Sequence, residues 1–190
     1  MTTLDDAWAW YNATREGARR LTHLAKHWAS VPWDIDHPGV RRLHGDGVLG
    51  PLESHDIEAG ATTTVDNLDG LAVLVLFSIF EAQVREWIGA RVRPEVERLQ
   101  DPTLKKAGED VLEAIDRGSF ARLLEPYKRP IDHNLVEEVN QVRRYRNWVA
   151  HGGRPEKKSK DWNDVTPAQA YSRLTRFLDA LRGPAAPPSA

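Results

Sequence analysis

A chain of 190 residues carries 26 basic and 28 acidic side chains, for a net charge of −2, and has no cysteine. That length suits one packed domain, the charge excludes a polycation that coats nucleic acid indiscriminately, and the missing thiols exclude disulfides and thiolate metal sites and point to a cytoplasmic home. The N-terminus, Met1-Thr2-Thr3-Leu4-Asp5-Asp6, lacks the basic-then-apolar layout of a signal peptide, and no apolar run reaches the roughly 18 residues of a membrane span, so no membrane is expected among the partners.

From Thr3 to Ala29 the apolar residues Leu4, Ala7, Trp8, Tyr11, Ala18, Leu21, Leu24, Ala25 and Trp28 recur at helical spacing and predict an N-terminal helix within residues 1–30. His23 and His27 share a face of it, four apart, but no third ligand accompanies them, so a solvated pair is expected rather than a metal site. Residues 31–65 change to Pro, Gly, Asp and His and read as an irregular insertion. His37, His44 and His55 within it match no metal-ligand spacing. No cofactor is expected.

The run from Asp69 to Ile88 is the most hydrophobic of the chain, and its helical spacing extends too far for a strand, so it predicts a core helix. Asp101-Pro102 reads as the N-cap and first residue of a further helix, to about Asp116. Ser119 to Glu125 reads as a short helix capped by Ser119. The next helix starts near Asp132 and stops at Gly152-Gly153. After a lysine-rich loop, Thr166-Pro167 opens the last helix, whose stripe is Tyr171, Leu174, Phe177, Leu178 and Leu181. Residues 183–190 read as a flexible tail. The fold class is all-α, one domain over residues 1–182.

Two stripes are interrupted by charge. On the helix after Asp132, Leu135, Val139, Val142 and Val149 share a face, and Arg146 falls in its middle. On the hydrophobic helix, Val73, Phe77, Phe80, Val84 and Ile88 enclose Glu81. A lone charge on a core face is costly, so Glu81 is expected to face Arg146 and orient its guanidinium. Asn147 and His151, four apart, belong to a different face, with Asn140 and Arg144. Arg146 and His151 diverge by about 140° in an ideal helix, which either a break at the glycines or a site shared by two chains resolves.

Around this motif lies a local positive field: Arg143, Arg144, Arg146, Arg154, Lys157, Lys158 and Lys160 stand against the single acid Glu156. A guanidinium fork suits phosphate oxygens. A helix C-terminus favours the protonated form of a histidine placed there, and imidazole is the side chain for general acid or base work near neutral pH. Together they fit cleavage of an RNA phosphodiester by its own 2′-hydroxyl, a reaction that requires no metal.

Arg146-Asn147-Trp148-Val149-Ala150-His151 resembles the R-N-x-x-x-H signature of HEPN domains, and Val75-Leu76-Phe77-Ser78-Ile79-Phe80-Glu81 is similar to the hydrophobic helix ending in Phe-Glu that precedes it in several HEPN families. The resemblance covers residues 66–182, in the order hydrophobic helix, short helices, motif helix, polar loop, closing helix. It implies a HEPN-like helical bundle, a homodimer with both motifs lining one cleft, and a metal-independent endoribonuclease with Arg146 and His151 catalytic and Asn147 supporting them. Arg143, Arg144, Arg154, Lys157 and Lys158 are then expected to bind the RNA substrate. Families of this kind act in toxin–antitoxin, phage-defence or RNA-processing systems, which brings in a neutralising protein partner. The variant with a modifiable tyrosine two residues after the histidine is not matched, because Gly153 stands there. The alternative reading is a non-catalytic HEPN module that binds a protein or a nucleotide.

Overall fold

The computed structural model describes residues 1–28, 38–44, 46, 53–153 and 165–183. Among them the chain is all-α, with no strand. The helices are α1 (Leu4–Trp28), α2 (Pro38–His44), α3 (Ser54–Glu97), α4 (Pro102–Arg117), α5 (Phe120–Leu124), a 3-10 turn (Glu125–Lys128), α6 (His133–Ala150) and α7 (Pro167–Arg182). They divide into two units, one of Met1–Trp8 with Gly70–Ala190, the other of Ala9–Asp69.

The larger unit holds the core. The apolar side of α3 puts Val73, Leu76, Phe77, Phe80, Val84 and Ile88 out of water, and α6 adds Leu135, Val136, Val139 and Val142. From α7 come Leu174, Phe177, Leu178 and Leu181. All four phenylalanines of the chain meet here: Phe80 lies edge-on to Phe120 and Phe177, at 5.7 and 5.6 Å, and Phe77 touches both Phe80 and Phe120. Such tilted contacts bring positive ring edges to negative faces, which adds to the area they bury. Arg173 donates to Gln141, and Arg176 pairs with Glu138, fastening α7 to α6. Tyr171 stacks on Trp8 at 5.0 Å and donates to Asp5, so this tryptophan is packed by its own chain.

The helix starts follow their cap chemistry. Asp101 accepts from the backbone N–H of Thr103 and Leu104, Asp132 from that of Asn134, and Thr166 and Gln169 close a reciprocal capping box. Ser119 is the N-cap of α5, as expected, but its hydroxyl makes no capping bond.

In the smaller unit Tyr11, Ala18 and Ala25 of α1 are buried seven residues apart, as are Ala61 and Leu68 of α3. That heptad spacing keeps one narrow seam inward. The Tyr11 hydroxyl donates to Asp69 at 2.8 Å, and burial together with this carboxylate pushes its pKa up to about 12.

Two expectations are corrected. Residues 31–65 are not irregular throughout: 38–44 are helical, and α3 starts at Ser54. Ile57, Ala61, Val65 and Leu68 keep helical spacing there, and Thr64 and Asn67 return their side chains to carbonyls four residues back, at 2.8 Å each, which lets polar residues sit inside a helix. The expectation that no run is apolar enough to span a membrane also fails for α3, which passes that test by length and composition. Val73, Leu76, Phe77, Phe80, Val84 and Ile88 of α3 line the core described above, and 33% of its most apolar stretch is buried. His37, with other parts of the 31–65 stretch, and the 184–190 tail lie outside the described residues.

Candidate active site

The motif occupies the last turn of α6 and its cap. Gly152 donates to the Val149 carbonyl and Gly153 to that of Trp148, both at 3.0 Å, and the two glycines have φ of +85° and +61°. This is a Schellman ending, in which left-handed backbone satisfies the last helical carbonyls, and only glycine enters that region without strain. The Trp148 ring lies over Gly153, 3.5 Å from where a Cβ would stand.

His151 is the C-cap residue. Its backbone N–H donates to the Asn147 carbonyl at 3.1 Å, and its side chain is exposed and makes no hydrogen bond to a described residue. The imidazole is therefore open to a ligand. Arg146 turns inward. Its guanidinium donates to Asn147 Oδ1 at 2.9 Å, lies 5.3 Å above the Phe77 ring, and reaches Glu81 at 3.5 Å. Only 29% of the Arg146 side chain is exposed, and its Nε is buried with no partner among the described residues.

Glu81 stands where the two interrupted stripes place it, but it serves a second arginine first. Arg85, one turn on along α3, donates to Glu81 Oε1 from both Nε and Nη2, at 3.1 and 2.6 Å. The same guanidinium donates to the carbonyls of Ile115 and Gly118, closing the end of α4, and lies over Phe120. Arg85 is the residue that reading the sequence misses. Its signal is a Glu four residues ahead of an Arg, which is ordinary on any exposed helix. What distinguishes this pair is burial, to 16% and 22% exposure.

Two arginines thus flank one carboxylate, leaving one positive charge uncompensated in the group. Farther along the same two helices the chain approaches closely: Val149 Cγ1 lies 3.1 Å from where a Cβ on Gly70 would be. Arg144 pairs with Glu137, and Arg143 donates to Asn140 Oδ1 at 3.3 Å. Burial, and then the neighbouring Arg144, pull the Arg143 pKa below the ordinary arginine value. Arg154, Lys157 and Lys158 lie outside the described residues. No group of three or more His, Asp or Glu side chains among the described residues is placed to hold a metal ion; His23 and His27 meet edge to face at 4.5 Å.

The site therefore joins Arg146 to Asn147 directly and to His151 through the Asn147 backbone. Comparison with protein-family models, curated proteins and solved structures finds no match to the chain.

Proposed function

We propose that this protein is a metal-independent endoribonuclease of the HEPN type, acting as a homodimer. One observation carries the reading: a shielded, hydrogen-bonded Arg146–Asn147 pair stands one turn before an exposed imidazole on the helix cap that makes no hydrogen bond to a described residue. The first is a preorganised phosphate ligand and the second a proton carrier. In the reaction the substrate's 2′-oxygen bonds to phosphorus while the bond to the 5′-oxygen breaks, giving a 2′,3′-cyclic phosphate and a 5′-hydroxyl. The Arg146 guanidinium stabilises the charge that gathers on the phosphoryl oxygens. Two protons move, one off the 2′-hydroxyl and one onto the leaving oxygen. A second copy of His151, brought by the dimer, supplies the second carrier.

A second reading, a non-catalytic HEPN module, draws on the same Arg146. A guanidinium over Phe77 beside Glu81 is also what a purely structural pair looks like. Incubating wild type, Arg146→Ala and His151→Ala with total RNA and a chelator separates the two. Cleavage by wild type alone, with cyclic-phosphate ends, supports the enzyme. No cleavage of any RNA by folded wild type supports the binding module.

A further inference from the structure

A groove of about 310 Å³ runs beside the motif helix. Its charged lining is Arg122 of α5, Glu125 and Lys128 of the 3-10 turn, and Glu137, Arg143 and Arg144 of α6. Lys128 pairs with Glu125, and Arg144 with Glu137. Four cations against two carboxylates leave an excess of two positive charges. That excess falls on Arg122 and Arg143, which have no carboxylate partner among the described residues.

Arg143 is the more informative of the two. It is half-buried, and its described side-chain hydrogen bond uses Nε alone, leaving both terminal nitrogens for a ligand. The Arg144 Nε is buried and also unpartnered among the described residues. A half-buried guanidinium such as that of Arg143, with no carboxylate partner among the described residues, is costly, and an anion entering the groove removes that cost. The position on α6 indicates which anion. Asn140, Arg144, Asn147 and His151 follow one another at intervals of three or four and so share a face. From Arg143, beside Arg144 on the same side of the helix, to His151 is eight residues, about 12 Å along the axis. That distance exceeds a single phosphodiester and suits a strand whose neighbouring phosphate sits in the groove while another lies at the motif.

We propose that this groove is a phosphate subsite for the RNA strand flanking the cleaved bond, with Arg143 and Arg122 as its ligands. The proposal rests on the ribonuclease reading above, but its test does not depend on turnover. Binding of a labelled single-stranded oligoribonucleotide to full-length His151→Ala protein is followed by anisotropy across a salt series. Adding Arg122→Met and Arg143→Met lowers affinity about tenfold or more and reduces the salt slope by about 0.7 per lost phosphate contact. Arg143→Lys recovers part of the loss, and unchanged thermal melting shows that the fold is intact. In the protein with His151 restored, the two Met substitutions raise KM for long RNA more than they lower kcat. Unaltered RNA affinity and salt slope overturn the subsite, whether or not inorganic phosphate or a polyglutamate peptide binds the wild-type groove. An unaltered subsite with no cleavage by wild type sinks the ribonuclease reading alone.

Discussion

Arg85 holds Glu81 by two hydrogen bonds to one carboxylate oxygen, at 2.6 and 3.1 Å, while Arg146 reaches the other oxygen only at 3.5 Å. Glu81 is thus oriented from its own helix, and Arg146 is the weaker claimant. Replacing Arg85 by Met strands Glu81 and frees two backbone carbonyls at the end of α4. The expected loss is on the order of 2–4 kcal/mol of stability, read from denaturant midpoints. Glu81→Gln, which keeps the shape and can still accept from Arg85, is expected to cost less than Arg85→Met. The opposite order would mean that Glu81 is held chiefly by Arg146.

Arg146 separates function from folding. Removing it leaves Glu81 still paired with Arg85 and loses mainly the packing over Phe77, so Arg146→Ala is expected to cost less stability than Arg85→Met. RNA cleavage is expected to fall by about 100-fold or more. Arg146→Lys does not restore it, since an ammonium provides neither the planar fork nor the stack on Phe77. A large drop in melting temperature with Arg146→Ala would instead mark a structural pair.

Gly152 is strained for any other residue by its backbone alone. Its φ is +85°, and a Cβ would meet nothing within 4 Å. Gly152→Ala is expected to cost about 1–2 kcal/mol and to lower cleavage by displacing the cap that carries His151. Gly17 gives the control. It lies inside α1, where a Cβ also meets nothing, and its φ is not positive. Gly17→Ala is expected to stabilise by up to about 1 kcal/mol. Thermal melting of the two variants checks both signs.

Tyr11 makes the smaller unit sensitive to high pH. Its folded pKa is raised to about 12 from an ordinary 10.0, by burial first and by Asp69 second. Between those values the unfolded chain has released the phenolic proton while the folded chain retains it. The Tyr11 contribution is therefore complete below the unfolded value and is lost as pH rises through the folded one, with a slope of up to about 1.4 kcal/mol per unit. Tyr11→Phe removes that slope, which denaturant titrations from about pH 9 to about 12 compare directly with wild type. Identical pH profiles would show that the Asp69 bond is not made in solution.

Much of the helical order was legible because its signals are local. Asp101-Pro102, Asp132, Thr166-Pro167 and Gly152-Gly153 each announce a helix end by the chemistry of one or two residues. The Glu81–Arg146 meeting was legible as well, since each interrupts an otherwise apolar stripe. Ser54 to Asp69 was not, because four small or modest apolar residues mark a helix only when a neighbour covers them. Arg85 and Arg122 were hidden for a related reason. An arginine on a helix looks the same in sequence whether its fork meets water, carbonyls or an empty groove.

The Schellman ending has a practical consequence for position 151. Both bonds of that ending, and the bond from His151 itself, are made by main-chain atoms, and the backbone there, at φ −95° and ψ 22°, suits any residue but proline. Among the described residues, the imidazole is therefore held by a scaffold to which it contributes no hydrogen bond. A cysteine, a fluorinated histidine or a dye-bearing side chain can be exchanged into this position with the helix end intact, and it would report on whatever approaches from solvent.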